Sequence, residues 1–329
     1  MKTILKSILY FAFRLHSFLD KGLYFRMYAI QGTIAHFPRH VHPENINLCN
    51  ARCPACVYPQ STRPKISMPA ELFEMIVLES AREKIDRLWI YMFGEPLLDN
   101  SIGARVAFAQ KNGIRQIHLS TNASLLTPLR AKELIDAGLD SLTISLDSLD
   151  KGEYQRIRTG LDFNTVIKNI DSLLNAPLGK MKVTIQFIGM EKYSLYLKHP
   201  LIKKWRKKAA ISFIPAHDYA GQAGIKVNWP SGKRPGPCPA LWNKCIILTS
   251  GEVPLCCFDF DAKYSMGDIR NSSIADVWNS PIAQHYRKLH LEGKPEEIPL
   301  CKNCRDFTNM REYAWYDYSL FLKRSLKSP

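Results

Sequence analysis

Apolar and polar positions along the chain follow two different periods. Between about residues 45 and 216, short apolar segments typical of buried strands are followed by longer segments with a helical period. The predicted strands cover residues 44–48, 87–93, 114–120, 141–146, 182–188 and 210–215. The predicted helices cover residues 69–84, 101–112, 127–137, 165–175 and 193–207. Repeated alternation of strand and helix favours an α/β fold with a parallel sheet and right-handed connections, curved into a partial (β/α)6 barrel.

The pattern changes after residue 216. Glycine and proline recur through residues 217–237, which is typical of a linker. Beyond it we predict a hairpin of residues 246–248 and 253–256 and a helix over residues 274–291. The predicted division of the chain is an N-terminal helix at 1–32, a barrel at 33–216, a linker at 217–237, a small cysteine-rich domain at 238–310 and a tail at 311–329.

The N-terminal segment has an amphipathic pattern. Apolar side chains such as Ile8, Phe11 and Leu15 fall on one helical face, and Lys6 and Arg14 fall on the other. The longest apolar run is far shorter than the roughly 20 residues that a membrane span needs, and no cleavage site follows it. Two interpretations stand. The helix lies on an anionic membrane surface, or it packs against the main domain or a second subunit.

Charge and cysteine usage narrow the function classes. The formal net charge of +15 attracts phosphates, anionic lipids or nucleic acid without choosing among them. No RNA-recognition signature accompanies the charge, so nucleic acid is not an expected partner. The nine cysteines fall in two tight groups, which is typical of metal sites rather than of secreted disulfide frameworks. We expect a reducing compartment, the cytoplasm, with the inner face of the membrane as a peripheral location.

The first cysteine group is a C-x3-C-x2-C loop formed by Cys49, Cys53 and Cys56. It follows the first predicted strand, and chemistry in α/β barrels is built at the C-terminal ends of the strands. Three thiolates are one fewer than a closed zinc or iron–sulfur site uses. One iron of a [4Fe–4S] cluster would therefore stay open to a small chelating molecule. A zinc site completed by His42 or a distant residue is the alternative.

The loop and the strand ends after it resemble the signature of the radical S-adenosylmethionine (SAM) superfamily, whose fold is a partial (β/α)6 barrel. The segment Phe93-Gly94-Glu95-Pro96 is similar to the family's Gly-Gly-Glu-Pro motif, with Phe93 in place of the first glycine. The next two predicted strands end in the polar segments Ser120-Thr121-Asn122 and Ser145-Leu146-Asp147, and Arg158 follows them. The resemblance implies that a [4Fe–4S] cluster binds together with SAM, and that SAM is contacted by Gly94, Glu95, Pro96, Thr121, Asn122, Ser145, Asp147 and Arg158.

The second cysteine group resembles the auxiliary-cluster domains called SPASM and Twitch. Its pattern is C-x12-G-x4-C, running through Gly251, followed by C-x2-C. The resemblance implies a second, auxiliary [4Fe–4S] cluster that is fully ligated by Cys238, Cys256, Cys301 and Cys304. A zinc ion held by the same four thiolates is the alternative. Cys257 is expected to be structural. Cys245 is a candidate hydrogen donor near the substrate.

The resemblance implies that the enzyme cleaves SAM reductively and abstracts hydrogen from an unactivated carbon. With a single auxiliary cluster, the chain resembles the Twitch-type cyclitol dehydrogenases of aminoglycoside biosynthesis. We therefore expect an oxidoreductase or epimerase that acts at a carbinol carbon of a sugar or cyclitol and receives electrons from a reductant such as flavodoxin or ferredoxin. The alternatives are a peptide-modifying maturase and a non-enzymatic iron–sulfur or RNA-associated protein.

Overall fold

The computed structural model describes residues 36–188, 193–214, 216–227 and 237–305. The predicted N-terminal helix, the predicted tail and about half of the predicted linker lie outside these ranges. No helix in the described ranges is long and apolar enough to cross a membrane.

A parallel sheet forms the centre of the molecule. Its seven strands lie in the order β6-β5-β4-β3-β2-β1-β7, and every neighbouring pair is parallel. The open, curved sheet is a partial barrel of the predicted α/β class. The strands are β1 His40–Pro43, β2 Arg87–Trp89, β3 Ile117–Thr121, β4 Ser141–Ser145, β5 Lys182–Ile188, β6 Ala209–Ile214 and β7 Lys244–Ile247.

Helices cover the outer face of the sheet, and at least one helix follows each of the strands β1 to β6. Several begin at a side chain that accepts a backbone N–H, as Thr127, Asp150 and Asp162 do, which satisfies part of the free N-terminal donors. The helices are α1 Ala70–Arg82, α2 Ile102–Lys111, α3 Pro128–Asp136, α4 Lys151–Ile157, α5 Phe163–Asn175, α6 Tyr193–Tyr196, α7 Pro200–Trp205, α8 Ala240–Asn243, α9 Ile274–Trp278, α10 Pro281–Leu291 and α11 Pro299–Lys302.

The two faces of the sheet carry different side chains. Alternate strand residues such as Val41, Leu119 and Ile185 are buried in one apolar core with the helices. Because successive side chains point to opposite faces, the residues between them face the barrel interior. That interior is aromatic and polar at one end, where His42 stacks on Trp89 at 5.2 Å between ring centroids. Further along, it is lined by half-buried Ser120, Thr143, Ser145, Thr184, Gln186 and Ser212.

The first predicted strand is wrong in position. The structure places β1 at His40–Pro43, before the predicted residues 44–48. Two of its four residues are histidines that face the barrel interior, so the segment lacks the apolar run by which a buried strand is recognised. Residues 44–48 instead extend from β1 towards the cysteines, with a single bridge between Ile46 and Ser67.

The predicted hairpin after the linker is also wrong. Its first strand, β7, joins the barrel sheet parallel to β1, with Val41 opposite Cys245. Its second strand, β8 (Glu252–Val253), pairs with β9 (Gly267–Asp268). Two predicted helices are each divided at a proline that opens a new helix, Pro200 in α7 and Pro281 in α10.

Candidate active site

The first cysteine loop lies across the C-terminal ends of β1 and β2. A Cβ at Gly94 would stand 2.2 Å from the carbonyl oxygen of Ile46 and 2.7 Å from that of Leu48. Only glycine allows so close an approach of two backbones. The Glu95 N–H donates to the Leu48 carbonyl at 2.7 Å. The glycine of the Gly-Glu-Pro segment thus fixes the chain that leads directly into Cys49.

Glu95 is buried and collects donors from the end of β3. One carboxylate oxygen accepts the Thr121 hydroxyl at 2.6 Å and the Leu97 N–H at 3.1 Å. The other accepts the Asn122 N–H at 2.8 Å. Burial raises the pKa of Glu95 above its usual range, although these hydrogen bonds act in the opposite direction. Pro96 opens the short 3-10 helix Pro96–Leu98, for which Glu95 is the N-cap.

Asn122 connects the same strand end to the cysteine loop. Its amide donates to the Asn50 side chain at 2.9 Å, and Asn50 donates to the Ser124 hydroxyl at 2.9 Å. From the other side, the Arg52 N–H donates to the Thr159 carbonyl at 2.9 Å. Four predicted residues, Gly94, Glu95, Thr121 and Asn122, therefore meet at the base of this loop.

Asp147 and Arg158 form an ion pair on the far side of the loop. The Arg158 Nη2 lies 2.5 Å from an Asp147 oxygen, and Nη1 lies 3.9 Å from the Cys53 sulfur. Burial opposes the charge on Arg158, but Asp147 and Cys53 hold its pKa above the ordinary value. The buried Arg158 Nε has no hydrogen-bond partner among the described residues. Asp147 has a positive φ of 65°, which marks a strained backbone.

The donor set of the loop fits an iron–sulfur cluster. Cys49, Cys53 and Cys56 are half-buried, and none of the nine cysteines forms a disulfide. Backbone N–H groups donate to the Cys49 and Cys56 sulfurs at 3.4 Å, and such contacts stabilise a thiolate. Burial raises the pKa of the Cys49 thiol to about 12, so a bound cation would have to offset that cost. In the part of the chain that is described, no three His, Cys, Asp or Glu side chains converge on one metal ion.

The second cysteine set is gathered by an apolar cluster. Cys256, Cys301 and Cys304 pack against one group of buried side chains that includes Trp242, Phe258 and Leu300. Asp259 orders the segment after Cys256, because its carboxylate accepts the N–H groups of Leu255, Lys263 and Tyr264 at 2.8–3.2 Å. The Cys238 N–H donates to the His290 imidazole at 3.2 Å.

The structure places the two remaining cysteines in different surroundings. Cys257, expected to be structural, lies beside Cys256, and hydrogen bonding between the two thiols is the main cause that raises the Cys256 pKa. Cys245 is fully buried in the core between the sheet and the helices. Its neighbours Lys244 and Ile246 are the residues of β7 that face the barrel interior. Cys245 is therefore on the opposite side of the sheet from the site.

Tyr219 lies near the cysteine groups, a position that the sequence motifs did not reveal. Its ring packs on Phe258 at 5.2 Å between centroids. Burial first, and then Cys56 and Cys257, raise the pKa of its hydroxyl, so the phenol lies near both cysteine groups. Tyr219, Ala220 and Gly221 all have positive φ values, 51°, 61° and 83°. Two of these three are non-glycine residues, which store strain in this conformation.

Similar proteins cover most of the chain. The S-adenosyl-L-methionine-dependent 2-deoxy-scyllo-inosamine dehydrogenase of Niallia circulans is 24% identical over 83% of this chain and 94% of its own length. The GTP 3',8-cyclase of Saccharophagus degradans is 32% identical over 45% of this chain and 44% of its own. Among solved structures, BtrN in complex with AdoMet and 2-DOIA has a TM-score of 0.58 at 19% identity, covering 81% of this chain and 92% of that one. SuiB of Streptococcus suis bound to its precursor peptide SuiA has a TM-score of 0.65 at 17% identity, covering 77% and 67%.

Two family models match separate parts of the chain. The radical SAM superfamily model matches residues 46–195, which hold the first cysteine loop and the strand ends around it. The SPASM model, an iron–sulfur cluster-binding domain, matches residues 238–305, which hold the second cysteine set. The cofactors of this chain are therefore a [4Fe–4S] cluster that binds with SAM and auxiliary iron–sulfur cluster binding in the second domain. The chain is an enzyme of the radical SAM superfamily with a C-terminal SPASM domain.

Proposed function

We propose that this enzyme oxidises a carbinol carbon of a sugar or cyclitol to a ketone. The observation that carries the proposal is the polar inner face of the barrel. Hydroxyl and amide side chains recur at the interior positions of four neighbouring strands, where packed barrels usually carry branched apolar residues. Such a wall matches the hydroxyl groups of a polyol, because each buried polar group needs a hydrogen-bond partner.

The proposal gives each cysteine set one task. Cys49, Cys53 and Cys56 hold the cluster that binds SAM, and Cys238, Cys256, Cys301 and Cys304 hold the electron acceptor. When bound, the first cluster and SAM supply the radical that removes hydrogen from the substrate carbon. The residues of this chain orient the reactants and exclude water.

The SAM contacts are assigned from the two polar groups around the loop. Glu95, with Gly94 and Pro96 beside it, and Thr121 and Asn122 form the group at the ends of β2 and β3. Ser145, Asp147 and Arg158 form the group at the end of β4. The Asp147–Arg158 ion pair is partly buried, so the Arg158 guanidinium can donate to the SAM carboxylate and the Asp147 side chain can accept from a SAM hydroxyl group.

Oxidation is favoured over epimerisation by the position of Cys245. An epimerase must return a hydrogen atom to the substrate radical, and Cys245 is buried on the helix side of β7. A dehydrogenase needs only a proton acceptor and an electron acceptor. The similarity to the 2-deoxy-scyllo-inosamine dehydrogenase over 94% of that protein's length supports the same choice of substrate class.

The test uses anaerobically reconstituted protein with SAM, dithionite or reduced flavodoxin, and a panel of cyclitols and amino-cyclitols that includes 2-deoxy-scyllo-inosamine. We expect 5'-deoxyadenosine and a ketone in equal amounts. Deuterium incorporated at the reacting carbon from deuterated water, without a ketone, would contradict oxidation and indicate epimerisation. Turnover of a peptide and of no polyol would contradict the substrate class.

A further inference from the structure

A buried ion pair connects the first cysteine loop to the second cysteine domain. Glu44 is fully buried at the end of β1, and Arg63 lies in the loop after Cys56. The Arg63 Nη1 and Nη2 atoms lie 2.6 Å and 2.9 Å from the two Glu44 oxygens, a two-pronged contact. The third donor, Arg63 Nε, reaches the carbonyl of Phe260 at 2.6 Å. Phe260 belongs to the segment that follows Cys256.

Glu44 ties two further parts of the chain to this pair. Its oxygens also accept the N–H groups of Phe93 at 3.4 Å and of Thr249 at 3.2 Å. A buried ion pair is costly unless its polar atoms are all hydrogen-bonded, and replacement by apolar residues is often neutral for stability. The best-attested use of such pairs is to fix one arrangement of neighbouring segments. Here the segments are the ends of β1 and β2, the turn after β7 and the loop after Cys56.

A second set of contacts joins the loop after Cys56 and the end of β2 to the segment after Cys256. The Ser61 hydroxyl donates to the Asp261 carboxylate at 2.8 Å, and the Thr62 hydroxyl donates to it at 3.0 Å. The rings of Phe93 and Phe260 meet edge to face at 6.3 Å between centroids. Phe93 is the residue that replaces the first glycine of the Gly-Gly-Glu-Pro motif, so this departure supplies a contact surface for the second domain.

We infer that Arg63 is a positioning residue that sets the separation of the two clusters. Glu44, Arg63 and Phe260 form a clamp that is close to both cysteine groups along the chain. Arg63 follows Cys56 after six intervening residues, and Phe260 follows Cys256 after three. A shift at the clamp therefore moves one cluster relative to the other. The inference rests on the cysteine assignments of the proposed function but not on its substrate.

The experiment compares reconstituted holoenzymes of the parent, Arg63→Met and Arg63→Lys. The control is Arg39→Met, which removes a less buried arginine–carboxylate pair. Arg39 lies 2.7 Å from Asp86, just before the N-terminal ends of β1 and β2, far along the strands from Glu44. The measurement is the magnetic interaction between the two reduced clusters by electron paramagnetic resonance, together with iron content and the ratio of 5'-deoxyadenosine to product.

We expect the parent and Arg39→Met to show the same interaction between the clusters. Arg63→Met should keep its iron, lose that interaction and form more 5'-deoxyadenosine per product, and Arg63→Lys should restore part of it. If Arg63→Met loses iron, the double variant Glu44→Gln/Arg63→Met, which leaves no unpaired charge, takes its place. An unchanged interaction in the iron-replete variant would overturn the inference. So would a parent spectrum without any interaction, whereas failure on polyols alone would overturn only the substrate assignment.

Discussion

The two cysteine regions are built in different ways. The first places its three cysteines on one short loop, and polar contacts from the strand ends hold that loop in position. Gly94 lets the backbone approach, and Glu95, Asn122 and Arg158 surround the loop with directed hydrogen bonds. The second gathers cysteines from distant parts of the sequence around an apolar cluster, with Asp259 ordering one turn.

This difference corresponds to two chemical tasks. A site that must bind and orient a small polar molecule needs unsatisfied ligand positions and polar groups fixed beside them. A site that only stores an electron needs complete ligation and an apolar surrounding that excludes water. The first region has three thiolates and a ring of polar side chains. For the second we propose four thiolate ligands, three of which pack against an apolar cluster with aromatic members.

The strongest test of the comparison removes each cysteine set in turn. The parent should contain about eight iron per chain, since two complete clusters hold four each. Replacing Cys49, Cys53 and Cys56 by alanine should leave about four iron and abolish SAM cleavage. Replacing the four cysteines of the second set should also leave about half of the iron but retain SAM cleavage. A parent with about four iron would show that one of the two assignments is wrong.

A second test addresses the backbone contact that holds the first loop. Gly94→Ala places a methyl group 2.2 Å from the Ile46 carbonyl oxygen. We expect a loss of about 1–3 kcal/mol in the free energy of unfolding, as for other overpacked sites, and a loss of iron from the first cluster alone. Gly224→Ala is the matched control, because nothing lies within 4 Å of its Cβ position. Equal iron content in the two variants would contradict the role of Gly94.

The sequence predicted what depends on local patterns. The cysteine loop, the Gly-Glu-Pro segment and five of the six predicted strands are read from neighbouring residues. The position of β1 was missed, because His40 and His42 face the barrel interior and hide the apolar alternation. The pairing of β7 with β1, and the contact of Arg63 with Phe260, join residues about 200 positions apart. No local pattern encodes such contacts, since they depend on how the whole chain folds.

The smallest expected effect concerns Tyr219, which lies between the two regions. Tyr219→Phe keeps the ring that packs on Phe258 and removes only the hydroxyl. We expect the Tyr219 hydroxyl to hydrogen-bond the substrate, so its removal should reduce product formation about five- to tenfold, with unchanged iron content. Tyr264→Phe is the control, because Tyr264 packs against the same apolar cluster. A similar decrease in both variants would assign Tyr219 a packing role.

The central claim is that only the first cluster is open to SAM. The most direct measurement is the electron paramagnetic resonance spectrum of the reduced enzyme with and without SAM, recorded for the parent and for the two cysteine-set variants. We predict that SAM changes the signal of the variant lacking the second set and leaves the signal of the variant lacking the first set unchanged. A change on adding SAM in the variant without Cys49, Cys53 and Cys56 would contradict the account.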